Sequence, residues 1–227
     1  MKTIAIITAR GGSKRIPCKN IKDFCGKPII TYPILAAIES GLFDEVMVST
    51  DDGEIAAVAK KAGASVPFFR SAQNSGDYAT TNDVLTEVLS RYVEKGIIYD
   101  AVCCLYPTAP FITSDLLKQA YRLLEQGARS IMPVVRYSFP PQRAMILKDG
   151  RLEYQYPELS QCRSQDLQPI YHDCGQFYFY RLDNGLRFID GDYTPIEVSD
   201  TAVQDIDTLD DWILAELKYK CFIQKEK

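Results

Sequence analysis

Short apolar runs alternate with amphipathic stretches between residues 3 and 135 of the chain. The apolar runs are rich in isoleucine and valine, as buried strands are, and they predict strands at Thr3–Ala9, Val46–Ser49, Val66–Phe69, 99–106 and 130–135. Between them, apolar residues recur at helical spacing, which predicts helices over Lys27–Ser40, Glu54–Ala62, Asn82–Glu94 and Leu116–Glu125. Strands that alternate with helices of this length indicate βαβ units. We therefore predict an α/β fold with a mostly parallel sheet covered by helices on both faces.

Single residues mark the expected ends of these helices. Gly41 and Gly63 follow the first two helices and predict their C-terminal stops, because glycine readily adopts the left-handed conformation found there. At the other end, Asp51 or Asp52 can cap the second helix and Ser114 the fourth, since short oxygen-bearing side chains accept from the first free N–H groups.

Beyond Val135 the regular alternation of strand and helix stops. Residues 144–147 and 152–155 predict a hairpin around a Lys-Asp-Gly turn, and the aromatic run 177–180 is more typical of a core or an interface than of a sugar platform. A final helix is predicted over Leu209–Cys221. Because no repeat, low-complexity tract or linker is visible, we predict one domain over residues 1–227, with an inserted lobe at 136–169.

Composition narrows the class of protein. The 227 residues are 46% hydrophobic and carry a formal net charge of −4, which argues against general nucleic-acid binding. The seven cysteines form no CxxC pair, so we expect reduced thiols and a cytoplasmic protein rather than a disulfide framework. No apolar run is long enough for a targeting segment or a membrane span, and no membrane association is expected.

The stretch TARGGSKRIPCKN, which follows the first strand, concentrates positive charge. It holds Arg10, Lys14, Arg15 and Lys19 around two adjacent glycines. Ligands of open parallel sheets bind beyond the carboxyl ends of the strands, and glycine-rich backbone N–H groups bind phosphate. The spacing matches neither the Walker loop nor the dinucleotide fingerprint GxGxxG, which disfavours an NAD-dependent oxidoreductase. The sequence favours a phosphate-binding loop; the alternative is a solvated turn.

A second cluster, DIDT, lies near the end of the chain. In an extended segment Asp205 and Asp207 share one face while Ile206 points away, so the two carboxylates can hold one hard cation. Mg²⁺ suits such a pair, because it takes one or two carboxylates together with phosphate oxygens and water. The alternative is that Asp207 only caps the final helix.

Several segments together resemble one known family. IAIITARGGSKRIPCKNIKDFCGKPII is similar to the opening signature of the CMP-sialic acid synthetases, or acylneuraminate cytidylyltransferases, and FDEVMVSTDDGEIAAVAKKAGA, PFFR, LYPTAPFIT and VQDIDTLDDW follow in that family's order. Within the family, RYSFPPQRA and RSQDLQPIYHDCGQFY most resemble the branch that activates pseudaminic acid. The resemblance spans most of the chain and implies a Rossmann-like nucleotidyltransferase fold.

The resemblance also implies a reaction, CTP plus a nonulosonic acid giving a CMP-sugar and pyrophosphate, with Mg²⁺ as cofactor. By the family's pattern, CTP would be bound by Ala9, Arg10, Gly11, Gly12, Ser13, Lys14, Lys19, Arg70 and Thr81. Arg10, Lys19 and Asp207 would be catalytic, and Asp205 and Asp207 would hold the metal. Two positions depart from the pattern: Arg15 replaces a glycine common in relatives, and Tyr106 stands where sialic-acid enzymes often have glutamine.

The acid needs binding residues of its own. A carboxylate and acylamido groups need cations and amide partners, which makes candidates of Gln142, Arg143, Arg163, His172, Asp173 and Gln176. A structural role for His172 remains equally open. The family's pattern further implies a homodimer formed through residues 136–169. Alternatives are the same reaction on N-acetylneuraminic acid, legionaminic acid or Kdo, and a CTP-binding module without catalysis.

Overall fold

The computed structural model describes residues 1–188 and 191–223, and its elements follow the βαβ rhythm of the sequence. The strands are β1 (Thr3–Thr8), β2 (Asp23–Phe24), β3 (Lys27–Pro28), β4 (Glu45–Ser49), β5 (Ala101–Leu105), β6 (Ser130–Arg136), β7 (Met145–Lys148), β8 (Arg151–Tyr154), β9 (Tyr171–Asp173), β10 (Phe177–Asp183), β11 (Arg187–Phe188) and β12 (Tyr193–Glu197). The helices are α1 (Thr31–Ser40), α2 (Gly53–Lys61), α3 (Thr81–Glu94), α4 (Ser114–Glu125) and α5 (Leu209–Lys218).

The central sheet has the strand order β12-β6-β10-β5-β1-β4, with β9 paired to β6 and β11 paired to β10. β1 lies parallel to both β4 and β5, and β12 lies parallel to β6. β10 runs antiparallel between β5 and β6, so five of the six strands along this path share one direction. The prediction of a mostly parallel sheet is confirmed, and β10 is its one reversed member on that path.

Side chains alternate across β1 and anchor a core on each face of the sheet. Ala5 and Ile7 pack in a cluster with buried residues of α1, α2 and α4. Ile4 and Ile6 pack on the other face with buried residues of α3. Residues 4 to 7 are all fully buried, as expected for a central strand covered on both sides. Helices on both faces are therefore confirmed.

The caps explain where the helices begin and end. Asp52 caps α2 by accepting from the backbone N–H groups of Glu54 and Ile55 at 2.7 and 3.0 Å. Of the two predicted caps, Asp51 and Asp52, the structure therefore selects Asp52. Gly41 follows α1 in the left-handed conformation, at φ 66°. The prediction that Ser114 caps α4 is wrong, because Thr113 precedes it in extended conformation and accepts from the Leu116 N–H.

Two element predictions also need correction. α1 begins at Thr31 rather than Lys27, because Lys27 and Pro28 form β3 and pair with β2. Residues 66–69 form no strand. Only Ser65 makes an isolated bridge, to Met47, and Pro67 offers no N–H with which to extend the pairing.

The lobe between β6 and β9 contains the predicted hairpin, formed by β7 and β8. Asp149 and Gly150 form its turn at φ 50° and 75°, a backbone shape that favours an Asp-Gly pair. The final helix is confirmed from Leu209 to Lys218 and continues as a π-helical turn over Tyr219–Ile223. Within residues 1–188 and 191–223, no helix is both long and apolar enough to cross a membrane.

Candidate active site

The glycine loop leaves the carboxyl end of β1 and is fixed by the neighbouring strand. Ala9 N–H donates to the Ser49 carbonyl at 3.0 Å, and Gly11 N–H donates to Asp51 Oδ1 at 2.9 Å. Gly11 is needed here, because a Cβ at this position would lie 2.8 Å from Asp52 Oδ2. The loop therefore holds its shape through contacts with the β4–α2 connection, which lies at the same edge of the sheet.

A cleft of about 450 Å³ opens at this edge. Its lining includes six residues that the family's pattern assigns to CTP, namely Arg10, Ser13, Lys14, Lys19, Arg70 and Thr81. Ala9, Gly11 and Gly12 belong to the same loop but do not line the cleft. Arg15, Asn20 and Tyr106 complete much of its wall. Asn20 also supports the loop from behind, since its side-chain amide donates to the Arg10 carbonyl at 2.8 Å.

A carboxylate from the polar loop after residue 70 engages two of these cations. Asp77 pairs with Arg10 at 2.9 Å and with Lys14 at 2.5 Å, and the hydrogen bonds from Lys14 and then Arg10 lower the pKa of Asp77. The Gly76 carbonyl accepts from Arg10 as well, at 3.3 Å. The sequence analysis missed Asp77, whose polar surroundings resemble any solvent-exposed loop. Its position shows that the first half of the glycine loop holds an anion.

The second half of the glycine loop meets the acidic segment near the end of the chain. Lys19 Nζ donates to the Ile206 carbonyl at 2.6 Å and lies 3.8 Å from Asp207 Oδ1. Arg15 pairs with the same Asp207 oxygen at 2.8 Å. Burial lowers the pKa of Lys19, and the charges of Asp207 and Asp205 act in the opposite direction. Residues 187 positions apart in sequence therefore form one site.

The acidic pair has the alternating geometry that the sequence indicates. Ile206 is fully buried, whereas the carboxylates on either side of it lie near Lys19. Burial raises the pKa of Asp205, the charge of Asp207 adds to this, and Lys19 opposes it. The alternative role of Asp207 as a helix cap is wrong, because Thr208 is the N-cap of α5 and shares a capping box with Asp211.

Arg70 and Thr81 lie on the other side of the cleft. Arg70 is buried and donates to the Ser49 hydroxyl at 3.0 Å and to the Ser49 carbonyl at 2.6 Å. Burial lowers the pKa of Arg70, but a guanidinium remains charged at any physiological pH. Thr81 begins α3, and its hydroxyl lies 3.4 Å from that of Tyr106.

The candidates for the acid divide into two groups. Gln142, Arg143 and Arg163 lie in the lobe and do not line the cleft: Gln142 donates to the Gln168 carbonyl at 2.7 Å, and Arg143 lies 3.4 Å from the Ser164 hydroxyl. Arg163 precedes the short turn Ser164–Asp166. This chain by itself does not bring these three side chains to the glycine loop.

The other three candidates belong to β9 and its connection to β10. His172 packs against Tyr137 with ring centroids 4.5 Å apart and the rings tilted by 52°, and its Nδ1 lies 2.8 Å from the backbone carbonyl of Asp173 rather than from its carboxylate. Asp173 instead accepts from the Tyr178 hydroxyl. Gln176 is buried and its side-chain amide donates to the Ala202 carbonyl at 2.9 Å, while its side-chain oxygen Oε1 has no hydrogen-bond partner among the described residues.

The arrangement can hold a polyphosphate and a hard cation side by side. The described residues contain no group of three or more histidine, cysteine or acidic side chains placed to hold a metal ion. A cation at the Asp205–Asp207 pair would therefore need ligands from water or from a substrate phosphate, which is the coordination that Mg²⁺ commonly takes.

Comparisons with known proteins identify relatives of this chain. A family model described as Cytidylyltransferase matches residues 4–147. The pseudaminic acid cytidylyltransferase of Campylobacter jejuni is 44% identical over 225 residues, covering 97% of each chain. The CMP-N,N'-diacetyllegionaminic acid synthase of Legionella pneumophila is 32% identical over 226 residues, covering 95% of each. The solved CMP:2-keto-3-deoxy-manno-octonic acid synthetase with CTP superposes with a TM-score of 0.69 over 100% of both chains, at 17% identity, which supports the fold.

Proposed function

The chain belongs to the cytidylyltransferase family, and from that premise we propose that it joins CMP to a nonulosonic acid, with pseudaminic acid as the first candidate. The substrates would be CTP and the acid, and the products the CMP-sugar and pyrophosphate. One structural observation carries the proposal: Lys19 of the glycine loop lies 3.8 Å from Asp207, at the edge of a cleft that Arg10 and Lys14 also line.

The proposed chemistry is an in-line displacement at the α-phosphorus. The anomeric hydroxyl oxygen of the acid forms the new bond to phosphorus and its proton passes to solvent water, while the bond from phosphorus to the oxygen bridging the α- and β-phosphates breaks and pyrophosphate leaves. Negative charge grows on the leaving pyrophosphate, and fixed cations stabilise it at little cost in reorganisation. We assign this role to Arg10 and Lys19, with Ser13, Lys14 and the backbone of Gly11 and Gly12 binding the remaining phosphate oxygens.

Mg²⁺ fits the residues that the structure provides. Asp205 and Asp207 offer two carboxylates on one side of an extended segment, and burial together with the charge of Asp207 raises the pKa of Asp205. We propose that these two residues hold the ion, which would supply positive charge to the phosphate oxygens during the displacement. Asp207 would have to exchange its ion pair with Arg15 for the metal.

Product analysis tests the proposed reaction. Incubation of the protein with CTP, Mg²⁺ and pseudaminic acid should give a ³¹P signal of a phosphodiester together with pyrophosphate. Parallel reactions with N-acetylneuraminic acid, N,N'-diacetyllegionaminic acid and Kdo rank the substrates by kcat/KM. Pyrophosphate release that never exceeds the no-enzyme rate with any of these acids would contradict the proposal and favour a CTP-binding module.

We further propose that the lobe at residues 136–169 mediates a homodimer. It exposes apolar side chains that a monomer has no evident use for: Phe139 is 87% exposed, Leu147 71% and Leu152 67%. Such a surface is typical of protein interfaces. Sedimentation velocity should show a dimer, and Leu147→Asp with Leu152→Asp should shift it to a monomer. An unchanged sedimentation coefficient would refute this interface.

We also propose a cytoplasmic location. All seven cysteines are free in the structure, and burial raises the pKa of Cys104 to about 12, so this thiol stays protonated and unreactive. Thiols without partners are typical of a reducing compartment. Cell fractionation followed by immunoblotting tests this location. Recovery of the protein outside the soluble cytoplasmic fraction would contradict it.

A further inference from the structure

The last residue of α5 is tied to the segment that leads into the acidic pair. Lys218 Nζ donates to the Asp200 carbonyl at 2.9 Å and to the Val203 carbonyl at 3.0 Å. Its side chain is 18% exposed, and Asp200 Oδ1 lies 3.7 Å from the same nitrogen. The three hydrogens of an ammonium group suffice for these three oxygens. Lys218 therefore fixes the backbone of two residues that come shortly before Asp205.

Asp205 lies between two backbone carbonyls, each of which accepts from a lysine. Upstream, the Val203 carbonyl accepts from Lys218 of α5. Downstream, the Ile206 carbonyl accepts from Lys19 of the glycine loop at 2.6 Å. The side chains of Val203 and Ile206 are both buried in hydrophobic clusters. Since only one further residue separates Asp205 from Val203, these contacts set the course of the backbone at Asp205.

The start of β10 supports the same segment from another side. The buried side-chain amide of Gln176 donates to the Ala202 carbonyl at 2.9 Å. The turn just before it lies against the acidic pair, because a Cβ added to Gly175 would come within 3.8 Å of Asp205 Oδ1. The segment is therefore held between α5 and β10, and Lys218 supplies two of its backbone contacts.

Asp207 has supports of its own. Its N–H donates to Asp211 Oδ2 at 3.1 Å, in the first turn of α5. Its carboxylate pairs with Arg15 at 2.8 Å and lies 3.8 Å from Lys19. Loss of Lys218 should therefore displace Asp205 while leaving Asp207 in place.

We propose that Lys218 is a positioning residue that holds Asp205 in register with Asp207, so that the two carboxylates can share one divalent cation. The inference rests on the proposed function, which assigns the metal to this pair. Lys218 does not line the cleft, so it acts through the backbone of residues 200–203 rather than by touching a substrate. Groups that orient metal ligands from behind contribute about ten- to a hundredfold in metal affinity.

Lys218→Met tests the inference, because it keeps a long apolar side chain and removes the ammonium group. Mn²⁺ alone is titrated into the protein, and the free ion is measured by electron paramagnetic resonance. We expect the Kd of Mn²⁺ to rise about tenfold. Lys220→Met is the matched control: Lys220 lies near the same helix end but pairs with Glu216 of its own helix, at 3.5 Å, and its loss should leave the Kd unchanged.

A double-mutant cycle separates positioning from general stability. Added to Asp205→Asn, Lys218→Met should raise the Kd little further, because the carboxylate that it positions is already gone. Thermal melts establish that each variant is folded, and Lys218→Gln replaces Lys218→Met if the latter is not, with the same expected rise in Kd. An unchanged Kd in the folded variant, or additive effects of Lys218→Met and Asp205→Asn, would overturn the inference.

The Mn²⁺ titration needs no turnover, so it stays informative if the wild-type protein makes no product. Wild-type protein that binds no Mn²⁺ would overturn the proposed metal site together with the role of Lys218. A wild-type Kd that Lys218→Met leaves unchanged would overturn the role of Lys218 alone.

Discussion

Removal of Lys19 should damage catalysis more than removal of any other cation in the glycine loop. The Lys19 side chain is 19% exposed, against 39% for Arg10 and 76% for Lys14, so its charge is the least screened by water. It is also fixed by a 2.6 Å hydrogen bond to the Ile206 carbonyl. Loss of one fixed donor in a water-excluded site costs about 100- to 1000-fold in kcat, or about 3–4 kcal/mol of transition-state stabilisation.

The assay is steady-state pyrophosphate release by Lys19→Ala, with CTP and the best acid from the substrate panel. We expect kcat to fall by about 100-fold or more, and Arg10→Ala and Lys14→Ala to cost progressively less. Lys60→Ala, an exposed lysine near the C-terminal end of α2, is the matched control. A thermal melt establishes that each variant is folded. A kcat within about threefold of wild type, or a larger loss in Lys14→Ala than in Lys19→Ala, would refute the reasoning.

Three further changes test separate parts of the structure. Asp77→Asn removes the carboxylate that pairs with Arg10 and Lys14, so the KM of CTP should fall a few-fold. A KM that stays constant or rises in a CTP titration would argue against competition between Asp77 and the phosphates. Arg15→Gly frees Asp207 from its 2.8 Å ion pair and should lower the Mg²⁺ concentration that gives half-maximal activity. A Mg²⁺ titration identical to that of the wild-type protein would mean that the ion pair does not compete with the metal. Tyr92→Phe removes a 2.5 Å hydrogen bond to Glu45, whose carboxylate also accepts from Ser65 and Tyr99. Urea denaturation should show a free energy of unfolding about 1–2 kcal/mol lower, with no change in kcat. A large fall in kcat would contradict a purely structural role for Tyr92 at the amino edge of the sheet.

The local pattern of the sequence predicted most of the sheet and its covering helices. β1, β4 and β5 have apolar interiors, and such apolar runs identify buried strands without knowledge of the strands beside them. The position of β10 could not be obtained in this way. Its aromatic residues indicate a buried strand, but its antiparallel insertion between β5 and β6 depends on pairings between segments that are far apart in the sequence, such as Phe177 with Leu105 and Phe179 with Ile131.

The residues of the candidate site also divide into those that a local motif reveals and those that only the fold brings together. The glycine loop and the acidic pair were visible because each is a short motif whose chemistry follows from its own residues. Asp77 belongs to no such motif, and it takes part only because the fold brings the loop after Arg70 to the edge of the sheet where the glycine loop lies. The boundary errors at α1 and α4 have local causes, since the β2–β3 pairing and the Thr113 cap compete with the helical pattern.

Carboxylates already pair with the cations of the cleft before any substrate arrives, and this changes how binding should be understood. Asp77 pairs with Arg10 and Lys14, while Asp207 pairs with Arg15 and lies close to Lys19, so two carboxylates face four cations. A triphosphate therefore replaces one carboxylate, and a metal ion replaces one guanidinium. Since each arrival breaks an existing ion pair, the net gain comes from the number and geometry of the new contacts and from the excess of cations over carboxylates. The two exchanges also support each other, because a metal at Asp207 releases Arg15, whose guanidinium lines the same cleft and becomes available to a phosphate oxygen.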